Sequence, residues 1–428
     1  MNQSDIANYC IEQLKKAGAD KSQCAVSFSE QKELNVETGE MSLFRTTFDT
    51  NIGLSVIVDQ KSGSVAINKT DTESIDDAVK KVMDMAKSSQ PDDANDISPS
   101  QPQQSFSKGD EEPNMDKMYQ RLDEFMDYVK TTHPTINMEA AIVDFSQSTS
   151  VFRNSNGVEF TTREGMYGFS NMFTAKEGKD TSSFNGMGIS ALNLDTPFIE
   201  SGSAKRLLRQ STEQVRTKPV PEKFTGEIVV TPDCLGDFLG FITGDISDGK
   251  IISKTSIYKK KLNQQITDPR FTLHARPVSD EITDGYFITD DGYVAENSTI
   301  IDKGVLKTHL LSLYGANKTG GQRAVNGGGA FVVDAGEKPK DEIIKTIKKG
   351  ILLERFSGGR PSADGEFSGV AKNSYYIENG EIQYPISETM ISGNIQEIFN
   401  NIGEISSDRI DFGYCIFPWI SFKGVTVS

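Results

Sequence analysis

Metal-assisted hydrolysis needs nitrogen or sulfur donors held close together, and covalent catalysis needs a Ser or Cys beside a base. The scarce residues therefore come first. The chain contains three histidines, His133, His274 and His309, and four cysteines, Cys10, Cys24, Cys234 and Cys415. No histidine lies three to five residues from another His or a Cys, so no local zinc motif can be assembled. His133 precedes Pro134 and reads as a solvated cation at a helix exit, while His274 and His309 fall in alternating, strand-like stretches as structural residues. No cysteine pair has CxxC spacing, which gives neither a zinc knuckle nor a disulfide framework and fits a reducing compartment. Cys415 stands among Tyr414, Phe417 and Trp419 and reads as a buried structural thiol.

Other motif-like strings fail on their chemistry. Residues 244–250, GDISDGK, copy the start of a phosphate-binding loop, but Ile251 follows where a hydroxyl should reach magnesium, and a helix precedes where a strand is required. An ordinary glycine-bearing loop after a helix is expected there. Ser247 and Ser368 lack the GxSxG spacing of a nucleophile elbow. Asp290 and Asp291 before Gly292, and Asp364, Gly365 and Glu366, are fragments of a calcium loop without its other oxygen ligands, and read as solvated turns. Lys259 to Lys261 reads as an exposed face or strand edge.

The elements that must position these residues follow from periodicity. Ser4 is the expected N-cap of a helix in which Ile6, Cys10 and Leu14 recur until Gly18. Residues 24–30 alternate, ELNVETGEMSLFRTT reads as two strands about Thr38 and Gly39, and NIGLSVIVDQKSGSVAINKT reads as two more hinged at Lys61 to Gly63. Asp71 or Thr72 opens a helix through Ile75, Val79, Val82, Met83 and Ala86. A further helix carries Met118, Leu122, Phe125, Met126 and Val129, and consecutive strands follow from Ile136, turning at Asn156 and Gly157. A basic helix is predicted near Ser203 to Thr217, with others over Asp233 to Ile242, Asp341 to Ile351 and Ile395 to Ile402.

The fold class expected is α+β: an N-terminal region of helices and antiparallel sheet, then a larger, β-rich, curved-sheet or barrel-like C-terminal domain. The expected units are 1–87, a Pro-, Ser- and Gln-rich linker or loop over 88–114, a second helix-and-strand unit over 115–217 that weakly echoes the first, and 221–428. A net charge of −16 over 428 residues repels phosphate backbones and supplies no basic stripe, so nucleic acid is not an expected partner. No apolar run approaches a membrane span, and the first twenty residues lack the parts of a signal peptide, so a cytoplasmic location is expected.

From the N-terminal hairpins to the last strand, the sequence resembles the TldD/PmbA family, also labelled modulator of DNA gyrase. The resemblance is carried by ELNVETGEMSLFRTTFDTNIGLSVIVD, GDISDGK, ENSTIIDKGVLKTHLLSLYGANKTG, FSGGRPSADGEFSGVAKNSYYIENGEIQYPI and MISGNIQEIF, in that order. It implies two kinds of subunit that associate into a peptidase acting on unfolded or flexible peptides. One kind holds zinc on a His-Glu-xxx-His helix completed by a distant Cys; the PmbA-like (TldE) kind lacks that helix. The corresponding stretch here, VVTPDCLGDFLGFITGD, has no histidine and offers only Asp233, Cys234 and Asp237 as donors. Asp233 and Asp237, four apart, could share a face, but two carboxylates suit hard cations better than zinc. Cys415 stands beside the Pro418 strand, further along the chain than the family's zinc-binding Cys. No catalytic, metal or cofactor-binding residue is therefore carried over, and zinc is expected in a TldD-like partner. The resemblance thus implies a PmbA/TldE-like subunit that pairs with such a partner, or with itself, around a peptide. Two other readings stand beside it: a metallopeptidase with a degenerate site built from residues such as His274 or His309, and a homodimeric peptide-binding regulator.

Overall fold

A computed structural model describes all 428 residues. The first helix, α1 (Gln3–Lys16), begins two residues earlier than its periodicity suggests: Asn2, not Ser4, is the cap and accepts the Asp5 N–H at 2.8 Å. Asn2 has extended backbone while Ser4 already lies inside the helix, so only Asn2 can fold its side chain back over the free N–H groups. The next strands run longer than alternation alone implies. β1 (Lys21–Glu37) and β2 (Glu40–Val58) form one continuous hairpin about Thr38 and Gly39, both in the left-handed region.

The turn between β2 and β3 (Lys61–Ile67) is at Asp59 and Gln60, whose φ values are 49° and 62°, rather than at Lys61 to Gly63. Gly63 serves packing instead, because a Cβ there would come within 2.6 Å of the backbone of α2 (Thr72–Ser88). As expected, Asp71 caps α2. Ile6, Cys10 and Leu14 of α1 and Ile75, Val79 and Val82 of α2 pack with Val26, Ile52 and Leu54 of the hairpin into one core.

Within the Pro-rich stretch, Gln104–Lys108 forms β4, which pairs in parallel with residues 160–164. Then come α3 (Met115–Thr132), β5 (Ile136–Asn154) and β6 (Glu159–Glu177), with Gly157 at φ +91° in the turn between them. β5 pairs with β1 along its length, Leu34 opposite Val143, so both helix-and-strand stretches share a single curled sheet of order β3-β2-β1-β5-β6-β4. α3 and α4 (Ala204–Glu213) cover its second core, in which Phe125, Phe169 and Phe198 pack together.

The C-terminal half is built on a mixed sheet of thirteen strands. At its centre Phe224–Val230 lies between the parallel strand Lys349–Leu353 and the antiparallel last strand, Ile416–Val427. The predicted helix over 341–351 splits, with helix only at Lys340–Lys345 and strand from Lys349. Its four-residue isoleucine spacing is satisfied across the junction: Ile343 and Ile347 enter one cluster, Ile351 the main core, and Gly350 must be small because a Cβ would meet Glu227 O at 2.2 Å. Against this sheet lies α5 (Pro232–Asp245), anchored by Phe238 among Phe356, Phe367 and Phe422. The mixed α+β architecture, with antiparallel sheet first and a larger sheet domain second, is the one the sequence implies.

Candidate functional site

Strand Phe224–Val230 delivers the chain to Thr231 and Pro232, where a proline at the first helical position starts α5. One face of α5 buries Leu235, Phe238, Leu239 and Ile242. Another presents Gly236, Gly240 and Gly244, four residues apart, to a cleft of about 730 Å³. Arg360, Pro361, Ser362 and Gly365 form a facing wall, and Ser247, Lys250 and Thr255 also line the cleft. Close packing does not require these glycines: a Cβ at Gly240 or Gly244 meets nothing within 4 Å, and one at Gly236 meets only the Phe417 ring at 3.8 Å. Each glycine costs a helix interior about 1 kcal/mol relative to alanine. The helix therefore carries an open, side-chain-free strip of backbone that its own fold does not need.

The two α5 carboxylates have separate fates. Asp233 accepts hydrogen bonds from Ser203 Oγ at 2.8 Å and from the guanidinium of Arg206 on α4. Arg206 also bonds Glu354, whose side chain is 1% exposed and takes a second bond from Gln210 Nε2 at 2.6 Å. Burial alone would discharge Arg206, but the two carboxylates outweigh it and hold the guanidinium charged. Asp233 is thus committed to the junction between the first sheet's helices and the C-terminal domain. Asp237 lies on the cleft and forms no hydrogen bond or ion pair, and partial desolvation by the cleft walls raises its carboxyl above the usual range. The shared face that their spacing allows is not used for a shared ligand.

Cys234 and Cys415 are buried, and burial pushes both thiols up, so neither is a ready thiolate. His133 caps α3, packs 6.0 Å from the Tyr128 ring, and is lowered by burial; it is therefore half-buried and biased to the neutral form rather than a solvated cation. His274 sits between Thr299 Oγ1 at 2.9 Å and Asp334 Oδ1 at 3.1 Å, and His309 Nε2 is 3.2 Å from Tyr258 O. The structure does not bring the three histidines together. GDISDGK closes α5 and starts a short helix whose Asp248 accepts the Ser312 N–H at 3.0 Å.

Asp291 departs from the expected solvated turn. Arg323 grips it in two hydrogen bonds of 2.8 and 2.9 Å, stacks on Tyr293 at 3.6 Å, and leaves its side chain 18% exposed. Burial would raise that carboxyl, but Arg323, Thr289 and the Leu313 N–H bring it below its ordinary value. Ala363 and Asp364 do form a turn, with Gly365 at φ +87° after it, but Glu366 already opens a strand; Lys259 to Lys261 are exposed.

Comparison with known proteins fits this geometry. The family described as PmbA/TldA metallopeptidase C-terminal domain matches residues 224–428, and its domain 1 matches 24–86. The chain belongs to the PmbA/TldD family. Metalloprotease PmbA of Escherichia coli O157:H7 is 23% identical over 438 residues, spanning 96% of this chain and 94% of that one. A zinc metalloprotease TldD homolog of Saccharolobus solfataricus is 27% identical, over 44% of this chain and 45% of its own. TldE from Thermococcus kodakarensis shares the fold with a TM-score of 0.83 at 17% identity, covering 99% of this chain and 100% of that one. A Bacteroides thetaiotaomicron protein bearing the modulator-of-DNA-gyrase label reaches 0.88 at 22% identity, with 99% and 98% covered.

The family's zinc can be tested against the donors present. α5 brings two carboxylates to its cleft, the unpartnered Asp237 and Asp245, which accepts the Ile257 N–H at 2.7 Å; burial pushes its thiol up, and its first-turn acid, Asp233, is bound to Arg206. No group of three or more His, Cys, Asp or Glu side chains anywhere in the chain is arranged to hold a metal ion. This donor set does not fit zinc. Sequence reasoning missed the parts that give the site its shape, namely the glycine strip and the Arg360 wall. A readable signal existed: three glycines at helical spacing inside an otherwise apolar helical run.

Proposed function

We propose that the chain is the PmbA/TldE-like subunit of a TldD/TldE-type peptidase complex, itself without the zinc site, which joins a zinc-bearing TldD-like chain and helps enclose an unfolded or flexible peptide. The observation that carries this reading is the α5 cleft, where open glycine backbone and one unpartnered carboxylate occupy the stretch that the resemblance sets against the family's metal helix. Bare helix backbone admits the close approach of another main chain. Beside it, strand Arg355–Gly358 pairs on one side only and leads into the Arg360 wall, which supports capture of an extended peptide through backbone groups. In this reading the stretches 1–87 and 115–217 act as the scaffold, 88–114 as their connector and 221–428 as the peptide-facing domain, in the cytoplasm. No helix is long and apolar enough to cross a membrane.

The test is reconstitution. The chain purified without chelator, alone and with a TldD-like chain from the same cell, is assayed for bound zinc and for cleavage of an unstructured peptide. Zinc and cleavage are expected only with the partner present. Stoichiometric zinc and unaided cleavage by this chain would establish instead an independent metallopeptidase, the reading suggested by the names of its relatives. Peptide binding by a homodimer that ignores the TldD-like chain would establish a self-sufficient regulator.

A further inference from the structure

The chain just past α5 reverses the sign of its surroundings. The molecule carries a net charge of −16, yet from Gly249 to Asn263 it holds five lysines, Lys250, Lys254 and Lys259 to Lys261, and no Asp or Glu. This stretch walls the α5 cleft, since Lys250, Ser253, Thr255 and Ile257 all line it. The facing wall contributes Arg360.

These cations are held out rather than paired off. Lys250 alone meets a carboxylate, Asp245 at 3.8 Å, and Lys259 Nζ donates to Lys254 O at 2.5 Å. Lys254, Lys260, Lys261 and Arg360 are exposed, with no partner for their side chains. The loop that bears the lysines is nonetheless fixed. Asp245 accepts the Ile257 N–H at 2.7 Å, Tyr258 is 1% exposed in the main core, and the Thr255 and Ser256 N–H groups both reach Lys250 O. Lys254 stands at φ 61°, a left-handed position that glycine or asparagine takes more easily, and no contact of its side chain offsets the strain. Positive charge is thus kept rigidly at the mouth of the cleft, against local backbone preference.

Charge complementarity names the occupant. Exposed cations lying within a screening length of about 10 Å act together on an approaching anion, and a free guanidinium grips a carboxylate through two parallel hydrogen bonds. A nucleic acid would bring a phosphate on every unit against Asp237 and Asp245 on the helix side of the same cleft. An extended peptide advances about 3.3 Å per residue and can set carboxylates at the mouth while neutral residues lie over the helix. We propose that Lys254, Lys259 to Lys261 and Arg360 form an anion-selecting lip, so that the α5 cleft takes peptide segments rich in Asp and Glu. This rests on the reading of the cleft as peptide-facing and adds the substrate class to it.

Two unstructured peptides of equal length and identical middle, flanked by Glu in one and by Lys in the other, test the lip. By fluorescence anisotropy at about 50 mM salt, the full chain and its complex with a TldD-like chain should bind the Glu-flanked peptide at least about tenfold more tightly, and at about 500 mM salt the ratio should fall below about threefold. The triple variant Lys254→Glu/Lys260→Glu/Lys261→Glu, changed only at exposed side chains, should reverse the preference. The same change of charge at exposed positions of α1 and α2, Lys16→Glu/Lys80→Glu/Lys81→Glu, should leave it in place. Equal binding of the two peptides, binding of neither, a preference that survives the loop variant, or one lost equally with the remote variant would overturn the proposal. So would a single-stranded oligonucleotide that binds at the same lysines more tightly than the Glu-flanked peptide. Tight binding of the Glu-flanked peptide with no cleavage of either by the complex would sink the subunit reading and leave the lip standing, whereas cleavage of both at equal kcat/KM would do the reverse.

Discussion

One turn apart on α5, Asp233 and Asp237 carry the same group into opposite circumstances. Asp233 meets Arg206 and Ser203 from α4, and Asp237 meets only the walls of a cleft. The difference teaches that a residue's chemistry on this helix is set by what another part of the chain places across from it. The charge at the first turn has become structural glue between domains. The carboxylate in the middle is left without a partner, facing the cleft.

The largest effect should come from breaking the first member of that pair. Arg206→Met leaves Glu354 and Asp233 uncompensated at a dry junction and should cost about 3–5 kcal/mol in urea unfolding. Adding Glu354→Met should return much of that loss, because an apolar pair removes the stranded charge. An unchanged midpoint for the single variant would show that the junction does not depend on this arginine.

A second buried pair sharpens the contrast. Arg323→Ala should cost about 1–3 kcal/mol by orphaning Asp291, measured the same way. Because Asp291 titrates below its unfolded value, its contribution is fully present above the ordinary carboxylate range and fades as pH falls through the lowered folded value. The wild-type advantage over Asp291→Asn should therefore shrink on acidification.

The cleft should respond in the other direction. Gly240→Ala has room for its Cβ and should stabilise the chain by about 0.5–1 kcal/mol. Gly240→Leu should fold as well while cutting peptide hydrolysis by the reconstituted complex at least tenfold. A fully active Gly240→Leu complex would remove the cleft from the function. The smallest effect belongs to Asp237→Asn. A carboxyl raised in the folded state lowers stability above its folded value and not below its unfolded one, so the variant should melt slightly higher at neutral pH. That gain should vanish in acid.

Much of this was legible in the residues because the signals are local. The apolar spacing of Ile75, Val79 and Val82 and the cap at Asp71 place α2 without reference to anything distant, and Gly157 marks its turn because few other residues tolerate φ near +90°. Local signals failed where one residue type serves two purposes. Gly63 reads as a turn but is there for contact with α2, and the Ile343, Ile347, Ile351 spacing reads as one helix although a strand begins inside it. The open strip on α5 was visible as glycines, but that nothing in the chain covers them was not.

The amino-acid order by itself determined the acidic charge, the lack of a histidine pair at ligand spacing and the alternation that makes β-hairpins, since each depends on composition or on neighbours a few residues away. Only the tertiary structure decided that Asp233 belongs to Arg206, that Asp291 belongs to Arg323, and that half of β2 has a neighbour on one side only. Those outcomes depend on which distant backbone arrives opposite a side chain, 27 residues away for Arg206 and 32 for Arg323, and no local pattern encodes that arrival.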